Sequence, residues 1–218
     1  PEGMLDGFKG YLQTDGYAAY EKIGARARIT HLGCWAHARR EFDKALCNDP
    51  GRAGYALSHI QRLYAVERMA RIKKLSPAGR KNLRLEESLP VINELGKWMS
   101  SEYKKVLPKD TIGKAMAYCI NRWDMLSEYL MDGHLEIDNN MVENAIRPVA
   151  LGRKNYLFAG SHEAAQRAAM VYSFLAICRK HEVDPFQWLR HTLENISTTR
   201  YNEVRSLYPQ NFKSTCDS

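Results

Sequence analysis

The spacing of apolar residues changes along the chain, and each change marks a different kind of element. Tyr11 to Gln13 and Ile29 to Gly33 are short β-prone runs. The first ends in the polar turn Asp15-Gly16, so two strands are predicted, with a carboxylate at the end of the first. From Cys34 to Phe42 the pattern turns helical and leads towards Leu46, the local order of an α/β layer. Farther on, Leu57, Ile60, Leu63 and Tyr64 recur at helical spacing. So do Leu85, Leu89, Ile92 and Met99, and then Ile112, Met116, Ile120, Trp123 and Leu130. Three amphipathic helices are expected here, punctuated by Ser76-Pro77-Ala78-Gly79 and Leu107-Pro108-Lys109-Asp110, with Pro90 near a helix start or at a kink. No strand-like stretch interrupts 56–130, which reads as an all-helical insertion.

Asn140 followed by Glu143 has the shape of a capping box, and Pro148 is expected to end a short helix at Arg147. Gly152 to Ser161 reads as a basic and aromatic loop or short extended piece, followed by a helix from about His162 to Lys180. Asp184-Pro185 opens the last clear helix, with Phe186, Leu189, Leu193 and Ile196 on one side. From Ser197 periodicity is lost, and the tail is expected to wrap or fray.

Composition narrows the class. The 218 residues are 44% hydrophobic and 26% charged, with 14 Gly and 8 Pro, which supports a real core and excludes collagen-like, low-complexity and generally disordered chains. A net charge of +7 permits contact with a polyanion and makes nucleic acid the first partner to test. Cys34, Cys47, Cys119, Cys178 and Cys216 are odd in number and scattered, which suits a reduced, cytoplasmic protein without disulfides. No long apolar run suggests a membrane span, and no signal peptide is visible. Opening on Pro1, the chain reads as trimmed or as a piece of a longer protein.

Asp15, Asp138 and Glu143 form a dispersed carboxylate set of the type that binds Mg²⁺ or Mn²⁺, hard ions that take oxygen ligands. On a regular helix Asp138 and Glu143 would stand roughly 140° apart, so sharing an ion requires Asp138 to precede the helix. The plainer readings are an Asx turn or cap for Asp138, a capping-box member for Glu143 and a turn residue for Asp15. Cys34 with His37 and Cys178 with His181 have zinc-ligand spacing, although the two pairs lie far apart and both cysteines also suit core positions. Basic residues cluster at Arg26-Ala27-Arg28, at Arg39-Arg40, and at Arg147 with Arg153-Lys154. The last group is interleaved with Asn155, Tyr156 and Phe158, a mixture suited to phosphate contact and base stacking, or to a solvated face.

Four strings, Gly10 to Tyr17, Gly33 to Arg40, Ile137 to Pro148 and Leu151 to Ser161, together with Tyr64-Ala65-Val66-Glu67 and Asp184-Pro185, resemble the IS66-family insertion-sequence transposases nearly end to end. That family is similar to the wider DDE transposases, bacterial DNA-recombination enzymes with a ribonuclease-H-like catalytic domain. The resemblance implies an α/β fold, a partial ribonuclease-H-like fold lacking early strands, with a large all-helical insertion. Residues 1–55 would be part of the core, 56–131 the insertion, 132–182 the core helix and basic loop carrying the third acid, and 183–218 a helix and tail.

The resemblance makes Asp15 the second acid and Glu143 the third, holding Mg²⁺ or Mn²⁺ with Asp138 nearby. The first acid would lie upstream, since neither Glu2 nor Asp6 suits that part. His37, Arg39, Arg40, Arg147, Arg153, Lys154 and Tyr156 would contact DNA, and Asn139 or Asn140 would position the Glu143 segment. The implied chemistry is metal-assisted strand cleavage and strand transfer on element ends and target DNA, with little activity expected from two acids alone. The alternative is a non-catalytic remnant that binds DNA, another transposase chain or a second copy of itself.

Overall fold

The computed structural model describes residues 3–212. Contacts divide the chain into two compact units, one ending at Met141 and the other beginning at Val142. Cys216 and the other residues after Phe212 lie outside the described residues, as do Pro1 and Glu2.

The first unit opens with β1 (Gly10–Gln13), α1 (Ala18–Gly24) and β2 (Ile29–Leu32). The strands are parallel, Gly10 opposite Ile29 and Gln13 opposite Leu32, a pairing that needs a crossover, which α1 supplies with Ile23 buried. Helices follow: α2 (Trp35–Ala45), α3 (Pro50–Ile72), α4 (Pro77–Leu83), α5 (Leu89–Glu102), α6 (Thr111–Ile120) and α7 (Trp123–Ser127). The chain is therefore mostly helical, with a small parallel pair from a partial ribonuclease-H-like core and a large helical insertion.

Local chemistry sets the helix starts. Asp49 Oδ1 accepts the Arg52 amide at 3.0 Å and Ser76 Oγ accepts the Gly79 amide at 3.2 Å, each followed by proline in the first turn. Such side chains satisfy amides left unpaired at a helix start, and proline there has no intrahelical bond to lose. The three expected insertion helices are five, α3 to α7. A π-helical turn, Arg84–Ser88, separates α4 from α5, and Pro90 falls in the first turn of α5. The expected third helix breaks at Asn121–Arg122, where Arg122 turns to the Gly16 carbonyl and to Glu21.

Trp35, Ala38, Phe42 and Ala45 line the buried side of α2 and share one core with Ala53, Ala56, Ile60 and Leu63 of α3. Met99 of α5 and Met116 of α6 belong to the same core. Trp35 Nε1 donates to the Leu126 carbonyl at 2.8 Å, giving the buried indole its partner.

Within this unit Glu67 of α3 is wholly buried, and so is Arg84. Arg84 Nε and Nη2 donate to the two oxygens of Glu67 at 2.7 and 2.9 Å, and Arg80 Nη2 adds a bond of 2.6 Å. Arg84 also donates to the carbonyls of Tyr129, Asp132 and Leu135, while Arg80 reaches both oxygens of Glu136. The Glu136 carboxyl is held below its ordinary range, chiefly by the Arg80 hydrogen bonds.

The second unit contains α8 (Asn140–Tyr156), whose first two residues belong to the first unit, then α9 (His162–Lys180) and α10 (Pro185–Asn195). The tail forms the 3-10 turns Tyr201–Leu207 and Pro209–Asn211, anchored where Trp188 Nε1 donates to Leu207 O at 2.8 Å. Two expectations are corrected: α8 does not stop at Arg147, and the segment from Gly152 to Tyr156 is helix rather than loop. Proline costs a helix one hydrogen bond but holds a helix-compatible φ. The turns beyond it are held by packing: Gly152 sits directly under the Tyr172 hydroxyl of α9, where a Cβ would collide. Among the described residues no helix is long and apolar enough to cross a membrane.

Replacing Arg84 by Met leaves Glu67 a buried carboxylate with one guanidinium, and a loss of about 3–5 kcal/mol is expected in urea unfolding. Arg190→Ala, which removes an exposed pair with Glu194, leaves the unfolding midpoint unchanged.

Candidate functional site

The first candidate carboxylate stands at the end of β1. Thr14 makes the last ladder bond, its amide donating to Leu32 O at 3.1 Å, and Asp15 emerges exposed. Asp15 Oδ1 accepts the Tyr17 amide at 2.9 Å, and its carbonyl accepts the Tyr118 hydroxyl at 3.0 Å. Among the described residues no donor reaches Oδ2, which leaves an oxygen open towards solvent. Gly16 is at φ +86°, and a Cβ there would lie 2.7 Å from Arg122 Nε, so the tight turn and the guanidinium above it both require glycine. Burial pushes the Tyr118 phenol up to about 12, keeping it a donor at neutral pH.

Under this turn, Thr14 Oγ1 lies 2.7 Å from His31 Nε2 on β2. Burial, the largest influence, lowers the His31 pKa; Glu21 opposes this and Arg122 adds to it. Thr14 Oγ1 also accepts the Gly16 amide at 3.3 Å.

Gln13 joins the turn to a distant segment. Its Nε2 donates to Gly33 O at 3.1 Å and to Glu136 O at 2.9 Å, and the Trp35 amide donates to Ile137 O at 3.1 Å. The stretch before Asp138 is thereby laid against the carboxyl ends of both strands. Asp138 itself takes three protein donors: Oδ1 accepts the Asn140 amide at 3.0 Å, and Oδ2 accepts the Tyr64 hydroxyl at 2.7 Å and Asn140 Nδ2 at 2.8 Å. This is an Asx turn that satisfies a first-turn amide of α8. Asn139 contributes a buried Oδ1 with no hydrogen-bond partner. Burial first, then the Asp138 hydrogen bond, raises the Tyr64 pKa.

Arg39 and Arg40 are exposed on α2, while His37 is half-buried. In the second unit Glu143 occupies the first turn of α8, and Arg147, Arg153, Lys154 and Tyr156 are exposed along the same helix. Asp15 and Asp138 thus belong to the first unit and Glu143 to the second. Among the described residues no group of three or more His, Cys, Asp or Glu could hold a metal ion. Cys34 and Cys178 are buried in different units, and burial raises both thiol pKa values, which disfavours the thiolate that zinc requires. Gln13 and Tyr64 carry more of the local geometry than their sequence signal suggested. The clue for Gln13 was a polar side chain at a strand end, and for Tyr64 its three-residue spacing from Glu67.

Tyr64→Phe removes a bond to a carboxylate and is expected to cost about 1.5–3 kcal/mol in urea unfolding. A folded-state His pKa below the unfolded 6.5 contributes stability that is present above 6.5 and lost as pH falls through the folded value. Thermal midpoints measured from pH 7.5 down to 5 should fall, and His31→Asn should flatten that part of the curve; a midpoint that rises on acidification contradicts the assignment.

The pattern of the transposase IS66 family matches residues 1–167. An uncharacterized protein of Sinorhizobium fredii, y4qI, is 38% identical over 96% of this chain and 40% of its own length. A second from the same organism, y4hP, is 32% identical over 98% of this chain and 41% of its own length. The chain therefore spans about two fifths of the curated relatives it matches. No solved structure matches it. The match covers both carboxylate segments and the helical insertion between them, and the chain belongs to the IS66 family of transposases.

Proposed function

We propose that this chain carries two acids of a DDE-type DNA transposase, Asp15 and Glu143, and that the complete protein cuts and joins DNA strands by metal-dependent phosphoryl transfer. The observation that supports this most is Asp15: a carboxylate just past the end of a parallel strand, fixed through Oδ1 and its carbonyl, with Oδ2 open. Hard divalent ions take such oxygens. Bound Mg²⁺ or Mn²⁺ would supply an activated water and stabilise the leaving oxygen.

The remaining roles fall to this chain's own groups. Asp15 and Glu143 would hold the ions together with the first acid that the DDE pattern of the family implies. Asp138, held by hydrogen bonds from Tyr64 and Asn140, orients the start of α8. Arg147, Arg153 and Lys154 meet phosphates, Tyr156 offers a stacking surface, and His37, Arg39 and Arg40 extend the basic contact along α2.

Calorimetric titration of Mn²⁺ and Mg²⁺ into the folded chain tests the ligand assignment. Saturable binding in the millimolar range is expected, lost in Asp15→Asn and in Glu143→Gln. Binding retained by both variants, with unchanged melting curves, refutes it. In the full-length protein each substitution should abolish strand cleavage while DNA binding persists.

A further inference from the structure

α2 and α3 pack side by side, and between them runs an open groove of about 640 Å³. Arg39 and Arg40 line it from α2, and Leu57, Gln61, Tyr64 and Arg68 line it from α3 at the spacing of a single helix face. Three guanidiniums meet one carboxylate there, Asp43. Arg39 and Arg68 are exposed and have no ion-pair partner among the described residues. The Tyr64 ring is held in place, because its hydroxyl is committed to Asp138 at 2.7 Å.

A lining of guanidiniums, a fixed aromatic ring, an aliphatic side chain and an amide has the chemistry of an unpaired nucleotide strand. Guanidiniums take phosphodiester oxygens, a base rests on the Tyr64 and Leu57 surfaces, and the Gln61 amide reaches a base edge. A duplex offers this lining phosphates and groove edges but keeps its base faces stacked away from Tyr64 and Leu57. We propose that the groove between α2 and α3 binds a single-stranded DNA segment, with Arg68, Gln61 and Leu57 as contacts that the helical insertion contributes. The choice of DNA rests on the strand-transfer reading above, since cutting and joining strands exposes unpaired ends; the preference for a single strand rests on the lining.

Fluorescence anisotropy in EDTA tests this without metal, using a short labelled single strand of mixed sequence and a hairpin duplex of the same sequence. Tighter binding of the single strand is expected. Arg68→Gln should weaken it about tenfold and reduce the salt slope by about 0.7. Leu57→Ser should weaken single-strand binding more than duplex binding. Arg62→Gln, on the same helix but outside the groove, serves as the control and should change neither. Equal affinity for both probes, or normal single-strand binding by folded Arg68→Gln and Leu57→Ser, overturns the proposal. Failure of the metal titration removes the ligand assignment of Asp15 and Glu143 and leaves this measurement intact, whereas loss of the strand preference with metal binding intact removes the groove alone.

Discussion

A carboxylate with no access to water governs the first unit. Glu67 is surrounded by core, and an unpaired charge in such a place costs several kcal/mol, so its two guanidiniums are a condition of folding. Arg84 and Arg80 do not end their work at Glu67. They also hold the carbonyls of Tyr129, Asp132, Gly133 and Leu135 and the carboxylate of Glu136. One buried charge therefore ties α3, the α4–α5 segment and the stretch leading to α8 into a single cooperative set. Removing either arginine would leave the buried Glu67 carboxylate with a single guanidinium.

This makes the helical insertion a scaffold for the candidate site. Tyr64 and Glu67 stand one turn apart on α3: one reaches Asp138 at the start of α8, and the other anchors the arginines that hold the chain just before it. From the opposite side Gln13, two residues before Asp15, donates to Glu136, two residues before Asp138. Strand end and helix start are thus held from both directions by neutral and charge-assisted hydrogen bonds, which fix direction as well as distance. The Tyr64 ring, immobilised by its own hydroxyl, then becomes part of the α2–α3 groove, so the same side chain serves the acid-bearing segment and the basic surface.

Period and punctuation in the sequence were enough for β1, β2, the starts of α9 and α10, and the position of Asp15 at a strand end, because each depends on residues close in the chain. Ser161 accepting the Ala164 amide and Asp184 accepting that of Gln187 are local events of this kind. The family, too, was legible from ordered strings of residues. Tertiary contacts decided the rest. Pro148 is a local stop signal, yet α8 continues because Gly152 packs beneath Tyr172; Arg122 interrupts an apolar period to reach Gly16 and Glu21. Glu67 reads in sequence as one more charge on a helix, and its burial emerges only when Arg80, Arg84 and the carbonyls between Tyr129 and Leu135 arrive from distant positions. A sequence specifies what a residue prefers among its near neighbours, whereas the value of a buried charge or a bypassed proline is set by groups that only folding brings within hydrogen-bond distance.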